Sequence, residues 1–389
     1  MHSAHADLLA LLVLLAGSFL MPIVSKYIFV PSAVLLIGYG LLVGPNSLNL
    51  LADGQVVGFL YELGFIVLMF LAGMEIDFNG MRARGRRAIV SMMIICLIIF
   101  SLAFAAAYLL GLHPLFGLAL GAISVGLPLA ILKETGMLRS QLGQGIIILG
   151  SVGEFLTVIG MTLFYFASRY GFSLELLWSL SKLIGMLVLA GITLRAFMAI
   201  AWWNPLGFTK LAKQHESSEI GVRAALLLMM TFSTLAILAG LESIVGAFVA
   251  GALIAFVLRG KEILEEKLTV VGHGLFIPIF FVIVGMRFDP AAISASGLLA
   301  AGQLVLAAIF VRLLPCLLLL RQGLTIREML GTTSLLAAPL TLVVAIAAIG
   351  LELGILDGNG QSVLILLAVA SGLIFPIIFR LLVVKSSKA

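Results

Sequence analysis

The chain has 389 residues, of which 62% are hydrophobic and only 11% are charged, and its mean hydropathy is +1.25. A soluble domain has about a quarter charged residues and about half apolar ones, so this composition excludes an ordinary soluble protein. The net charge of +5 is attributed to loops on one side of a membrane, and no nucleic-acid partner is expected.

Long apolar runs recur along the whole chain and predict an all-α membrane protein with about thirteen transmembrane helices. A run of about 18 or more apolar residues is long enough to cross the hydrocarbon core. Without water to bond the backbone, such a run must be helical. The predicted spans are 8–25, 31–48, 59–76, 88–110, 114–132, 144–168, 173–202, 222–240, 243–258, 268–287, 292–320, 328–350 and 361–384.

The loops between these spans predict the orientation, because lysine and arginine concentrate in short cytoplasmic loops. With the N-terminus outside, 18 of the 23 basic residues fall on the inner side. Arg169 and Arg287 alone fall in outer loops, and the other three basic residues lie within spans. The expected location is the cell (inner) membrane, with the C-terminus in the cytoplasm.

Two parts of the chain share a pattern and predict an internal repeat. The third and tenth spans both end in Gly-Met-x-x-Asp, with Gly73 and Gly285 separated by 212 residues. The same offset relates Gly40 to the neighbourhood of Gly251. Since an offset of seven spans is odd, the copies run in opposite directions. The prediction is two inverted six-helix repeats, joined by a linker helix.

Two spans carry proline at corresponding positions. The fifth contains the segment from Ser124 to Pro128, and the twelfth contains Pro339 and Thr341. Proline inside a helix removes one hydrogen bond and clashes with the preceding turn. Matched interruptions in inverted repeats indicate the binding site of a secondary transporter, so crossed discontinuous helices are expected. The alternative is two tolerated kinks, which are common in membrane helices.

Glu154 is the main candidate for an ion-binding residue. It lies in the middle of the sixth span, where a charge costs about 2.5–3.5 kcal/mol on insertion scales. Ser151 and Thr157 lie one turn before and after it, so the three form one polar helix face. The alternative is a structural carboxylate paired with a basic residue. Arg312, in the eleventh span, is the expected compensating charge.

Other kinds of site are not expected. The five histidines show no metal-ligand spacing, and both cysteines lie inside apolar runs, where packing is their simplest role. No nucleophilic triad or phosphate-binding loop is present in the sequence. We therefore expect no enzyme activity, no cofactor and no metal beyond a transported ion.

Several segments together resemble the monovalent cation/proton antiporter superfamily, in the branch of bacterial sodium/proton and potassium/proton exchangers. The resemblance covers nearly the whole chain. The segments that carry it are Pro31 to Pro45, Leu63 to Glu75, Ser124 to Gly126 with Leu132 to Gly136, Gly246 to Gly251, and Phe280 to Met286.

The resemblance implies a homodimer in the lipid bilayer, with interface helices in 1–87 (spans 1–3) and 222–290 (spans 8–10). A mobile core would comprise 88–168 (spans 4–6) and 291–389 (spans 11–13), and the linker helix would fall in 169–221.

The chain also departs from the family pattern. Where such exchangers have Asp-Asp or Asn-Asp, this chain has Gly153-Glu154, and Ile123 stands in place of a threonine. Arg312 replaces a lysine of the eleventh span, and the Arg-Gly-Glu pattern near Pro339 is absent from the sequence. One carboxylate therefore remains where electrogenic members have two.

These observations predict a secondary transporter that exchanges sodium or potassium for protons by elevator-like alternating access. The exchange would be electroneutral, with Glu154 as the shared site and Ser124, Ser151 and Thr157 assisting. One alternative is an antiporter-like scaffold acting as a channel, sensor or complex subunit. Another is transport of an anionic or organic substrate, which Arg312 and helix N-termini would favour.

Overall fold

A computed structural model describes residues 2–28, 30–171, 217–257, 262–288 and 295–384, together with seven single positions between 181 and 195. Helices make up nearly all of it, and the described residues contain no strand. In the first half the helices are α1 His2–Ile28, α2 Ser32–Val43, α3 Gln55–Met74, α4 Phe78–Arg84, α5 Arg86–Leu109, α6 Pro114–Gly121, α7 Gly126–Glu134 and α8 Gln141–Tyr170.

The second half continues the helical pattern with short segments of tighter or wider winding. A π-helical turn, Gly272–Phe276, connects α11 to α12, a 3₁₀ turn, Leu317–Gln322, follows α13, and a π-helical turn, Arg380–Val384, follows α16. The helices are α9 Ser217–Leu238, α10 Ser243–Val257, α11 Glu262–Val271, α12 Ile277–Met286, α13 Ala295–Cys316, α14 Ile326–Leu336, α15 Leu340–Glu352 and α16 Gly358–Phe379.

The helices agree with the predicted spans wherever the chain is described. Ten helical stretches in the described residues are long and apolar enough to cross a membrane, and α2 and α10 are shorter apolar helices. Together they correspond to twelve of the thirteen predicted spans. The predicted seventh span, 173–202, falls in the linker region 169–221, most of which lies outside the described residues. The all-helical membrane fold is confirmed.

The described chain divides into two compact units. Unit 1 comprises 1–52, 77–165 and 281–389, and unit 2 comprises 53–76 and 166–280. In unit 1, α5 packs against α6 and α13, and α16 packs against α13, α14 and α15. Apolar side chains fill most of its interior, so a buried charge such as Glu154 or Arg312 needs a specific reason.

A glycine crossing joins α2 to α12 inside unit 1. A Cβ atom at Gly40 would overlap the carbonyl oxygen of Val282, and one at Gly285 would overlap the carbonyl oxygen of Ile37. At Gly44 it would lie 2.9 Å from the carbonyl oxygen of Met286. The two backbones therefore touch, as small residues allow in membrane helices.

Unit 2 contains a crossing of the same kind between α3 and α10. A Cβ atom at Gly251 would overlap the carbonyl oxygen of Phe70, and one at Gly73 would overlap the carbonyl oxygen of Phe248. Each unit thus contains a pair of helices whose backbones approach each other through glycines on both helices.

The crossing in unit 1 gives a stability prediction. We expect Gly40→Ala to lower the free energy of unfolding by about 1–3 kcal/mol, because the added methyl group forces two packed backbones apart. Gly38→Ala, on the same helix, is the matched control, since nothing lies within 4 Å of the added atom. Thermal unfolding of both variants in detergent measures the difference. Equal midpoints would show that the α2–α12 contact is looser than described.

Candidate functional site

Two predicted spans are broken in the middle. The fifth consists of α6 and α7, separated by the non-helical residues Ala122 to Val125. The twelfth consists of α14 and α15, separated by Ala337 to Pro339. Pro339 directly precedes α15, whereas Pro128 lies in the first turn of α7. A proline there costs little, because first-turn N–H groups have no helical partner.

Glu154 faces the first break. It lies on α8 with none of its surface exposed. Its Oε1 accepts a hydrogen bond from the Ser124 hydroxyl at 3.2 Å, and its Oε2 accepts one from the Val125 N–H at 3.2 Å. Val125 immediately precedes α7, so the carboxylate lies at the positive end of that half-helix, where a negative charge is stabilised.

A hydroxyl pair joins the two breaks. Ser124 Oγ lies 3.2 Å from Thr341 Oγ1, and Thr341 is the second residue of α15. Beside this pair, α6 packs against α15 and α7 packs against α14. Hydrogen bonds therefore run from one broken helix, through Ser124, to the carboxylate on α8.

Thr157 and Ser151 bond to backbone on either side of this group. The Ile123 N–H donates to Thr157 Oγ1 at 3.0 Å, and the Thr157 hydroxyl donates to the Gly153 carbonyl oxygen at 2.7 Å. Thr157 therefore accepts a hydrogen bond from a peptide N–H that has no helical partner because of the break. Ser151 Oγ accepts from the Asp77 N–H at 3.4 Å, so it contributes to the anchoring of α8 beside the start of α4.

Arg312 provides the positive charge on the other side of the break. It is completely buried on α13. Its Nη1 donates to the Ala308 carbonyl oxygen at 2.6 Å, and its Nη2 donates to the Ala122 carbonyl oxygen at 2.5 Å. Ala122 directly follows α6, so the guanidinium lies at the negative end of that half-helix, where a cation is stabilised.

This arrangement provides oxygen ligands and one exchangeable charge. The Glu154 carboxylate and the hydroxyls of Ser124 and Thr341 are the kind of hard ligands that hard cations prefer. The carboxylate can hold either a proton or a cation, whereas an arginine stays protonated. The group has the chemistry of a site at which one cation competes with one proton.

Some participants were not identified from the sequence. The Ala122 carbonyl and the Val125 N–H are backbone groups, and neither apolar residue type indicates a role. The contact between Asp77 and Ser151 joins residues 74 positions apart. A motif search identifies side chains and cannot identify backbone groups. The signal for these groups was the segment Ser124-Val-Gly, which follows the eight-residue apolar helix α6.

Comparison with known proteins finds similarity along nearly the whole chain. The family model "Sodium/hydrogen exchanger, transmembrane" matches residues 13–385. A Bacillus subtilis (strain 168) protein, named as a candidate Na⁺/H⁺ antiporter, is 31% identical across 97% of this chain; the chain spans 63% of that protein's length. The Na⁺/H⁺ antiporter of Enterococcus hirae is 25% identical, with 92% of this chain and 93% of that protein covered.

A solved structure has the same fold. The sodium proton antiporter of Methanocaldococcus jannaschii, solved at pH 8, superposes with a TM-score of 0.67 and 17% identity. The match covers 98% of this chain and 97% of the other. With the family model matching almost every residue, the chain belongs to the transmembrane sodium/hydrogen exchanger family.

Proposed function

We propose that the protein exchanges a monovalent cation, sodium or potassium, for protons, with Glu154 as the site that both share. One observation carries the proposal: a fully buried carboxylate faces the break between α6 and α7 and accepts hydrogen bonds from Ser124 and Val125. Family membership supports it, and so do the names of the relatives.

The chemistry at Glu154 follows from competition for one negative charge. When the carboxylate is ionised, it binds the cation together with the oxygens of Ser124 and Thr341. When it takes up a proton, it loses its attraction for the cation, which leaves. Thr157 assists by fixing the backbone at the break, and Ser151 assists by anchoring α8 beside the start of α4. Arg312 keeps its charge throughout and balances the α6 end of the break.

The alternation would come from two inverted repeats that move one part of the molecule against another. Contacts within the units support the repeat. Adding 212 to the numbers of the α3 residues and subtracting 211 from those of α10 converts the contact pair Gly251–Phe70 into Gly40–Val282. The same shifts convert Gly73–Phe248 into Gly285–Ile37. The same glycine crossing thus occurs twice, as two copies of one ancestral unit require.

The assignment of moving parts follows from the resemblance to the antiporter superfamily. We propose that spans 1–3 and 8–10 hold two protomers together, and that spans 4–6 and 11–13 carry the ion in an elevator-like movement. Glu154, Ser124, Arg312 and Thr341 all belong to the proposed mobile core. The N-terminus would face outside and the C-terminus the cytoplasm of the cell (inner) membrane, as the basic residues of the loops indicate.

The carboxylate prediction tests the shared site. We expect Glu154→Gln to insert and fold but to lose coupled exchange, because glutamine keeps the shape and cannot ionise. Glu154→Asp should keep part of the activity, since it keeps the charge. Proton movement in proteoliposomes driven by sodium, lithium, potassium or rubidium gradients is the measurement. Glu62→Gln, which removes an exposed carboxylate on α3, is the control and should match the unmodified protein.

Two results would count against the site. Full activity of Glu154→Gln would exclude this carboxylate as the carrier. Absence of exchange by the unmodified protein with all four cations would favour a channel, sensor or complex subunit built on the same scaffold, or an anionic or organic substrate.

The electrical prediction tests the stoichiometry. One carboxylate exchanges one proton for one monovalent cation, so no net charge crosses. A net charge would add about 2.3 kcal/mol per 100 mV of membrane potential. We therefore expect sodium or lithium exchange rates, at a fixed ion gradient, to change little when valinomycin sets different potassium diffusion potentials. A steep dependence on potential would require a second titrating group.

The orientation prediction uses single cysteines in a Cys96→Ser/Cys316→Ser background, which contains no other cysteine. We expect cysteines at positions 53 and 357 to react with an impermeant reagent added outside intact cells. Cysteines at positions 87 and 327 should react only after the membrane is opened. Labelling of position 87 from outside would reverse the proposed orientation.

A further inference from the structure

A second carboxylate lies close to the candidate site, and the proposed exchange assigns no part to it. Asp77 directly precedes α4 and is partly exposed to solvent. Its N–H donates to Ser151 Oγ on α8, with 3.4 Å between nitrogen and oxygen, and Ser151 is completely buried. A partly exposed acid is thus joined by one hydrogen bond to the helix that carries Glu154.

Ser151 relates Asp77 to Glu154 in space. Ser151 precedes Glu154 by three residues on α8, which places it about 4.5 Å along the helix axis and about 60° around it. Because Ser151 Oγ touches the Asp77 nitrogen, the two carboxylates are on the order of 10 Å apart. Asp77 lies on the side of Glu154 where α8 begins at Gln141, which is the cytoplasmic side in the proposed orientation.

The Ser151 hydroxyl has hydrogen-bonding capacity left over. A hydroxyl can donate one hydrogen bond and accept two. Within the part of the chain that the structure describes, the contact with the Asp77 N–H is the only one that this hydroxyl makes. Buried polar groups are normally satisfied, so the oxygen of Ser151 is open to a water molecule or a cation.

The Asp77 carboxylate is also incompletely used. Its Oδ1 accepts a hydrogen bond from the Gly80 N–H at 2.8 Å, which caps α4. Among the described residues, no hydrogen bond is made to Oδ2 and no ion pair is made to the carboxylate. The basic residues of α4, Arg82 and Arg84, lie in its last turn, at the other end of the helix. The negative charge of Asp77 is therefore available to a cation.

We propose that Asp77 and Ser151 form an approach site, at which the cation is held between the cytoplasm and Glu154. Carboxylate and hydroxyl oxygens are hard ligands of the kind that hard cations prefer. A negative charge near the site also raises the local concentration of cations. This inference rests on the proposed exchange, because it concerns how the cation reaches Glu154.

The chain contains a matched control for Asp77. Asp357 directly precedes α16, and its Oδ1 accepts a hydrogen bond from the Gly360 N–H at 2.7 Å. The capping geometry is the same, but the basic residues of the loops place Asp357 outside and Asp77 inside. Replacing either aspartate with asparagine removes the charge and keeps the cap, since asparagine caps helices as well as aspartate does.

The experiment measures the KM for sodium at the cytoplasmic face. Inside-out membrane vesicles, from a host without its own sodium/proton exchangers, are given sodium, and proton movement is followed. We expect Asp77→Asn to raise this KM about two- to tenfold, the range for a unit charge at about 10 Å, with little change in the maximal rate. Asp77→Glu keeps the charge and should restore most of the affinity. Asp357→Asn should behave like the unmodified chain.

Salt separates an electrostatic role from a structural one. The screening length in water falls from about 30 Å at 0.01 M ionic strength to about 10 Å at 0.1 M. Adding choline chloride over this range should therefore reduce the KM ratio between Asp77→Asn and the unmodified chain. A distorted α4 would raise the KM by the same factor at both salt concentrations.

Several results would overturn the proposal. One is an unchanged KM in both Asp77→Asn and Asp77→Ser, a second neutral variant that keeps a capping side chain. A KM ratio that does not respond to salt, or a fall in maximal rate alone, would reduce Asp77 to a structural cap. An equal rise in Asp357→Asn would indicate a general effect of surface charge.

Failure of the proposed function gives a different result. If the unmodified chain exchanges protons for none of sodium, lithium, potassium and rubidium, the shared site at Glu154 is wrong, and the approach site is excluded with it. If the unmodified chain exchanges and Asp77→Asn has the same KM, only the approach site is wrong.

Discussion

The four non-helical residues from Ala122 to Val125 are the constraint on which the site depends. Breaking a helix in hydrocarbon leaves peptide groups without partners, and each such group costs several kcal/mol. Here the open carbonyl of Ala122 receives the Arg312 guanidinium, and the open N–H of Val125 reaches the Glu154 carboxylate. Each charge lies at the half-helix end of opposite sign. The break and the two buried charges therefore stabilise one another, and neither would be tolerable alone.

That mutual dependence supports the proposal that a single carboxylate serves both a proton and a cation. Glu154 accepts hydrogen bonds from one hydroxyl and one peptide N–H, which are neutral donors. Because the hydrogen bonds of Arg312 go to the carbonyl oxygens of Ala308 and Ala122, the positive charge lies at the break and balances the end of α6.

The sequence predicted the helices better than the site because hydropathy is a property of long segments. Twelve spans appear as helices where they were expected. The two spans that were predicted to be discontinuous are both broken in the structure. Proline indicated the broken spans but not the broken residues, since Pro128 fits the first turn of α7 and the chain opens before it. Ser151 and Glu154 share a periodic face, yet the serine bonds to Asp77. Periodicity gives a face of a helix, and it does not give the tertiary partner.

Arg312 bonds to carbonyl oxygens of two different helices, and this explains why an arginine suits the position. Its Nη1 bonds to Ala308 on its own helix α13, and its Nη2 bonds to Ala122 at the break. A compact ammonium group could satisfy the carbonyl of Ala122, but the planar guanidinium has five donors pointing in several directions. One side chain can therefore complete the helix break and remain bonded to the helix that carries it.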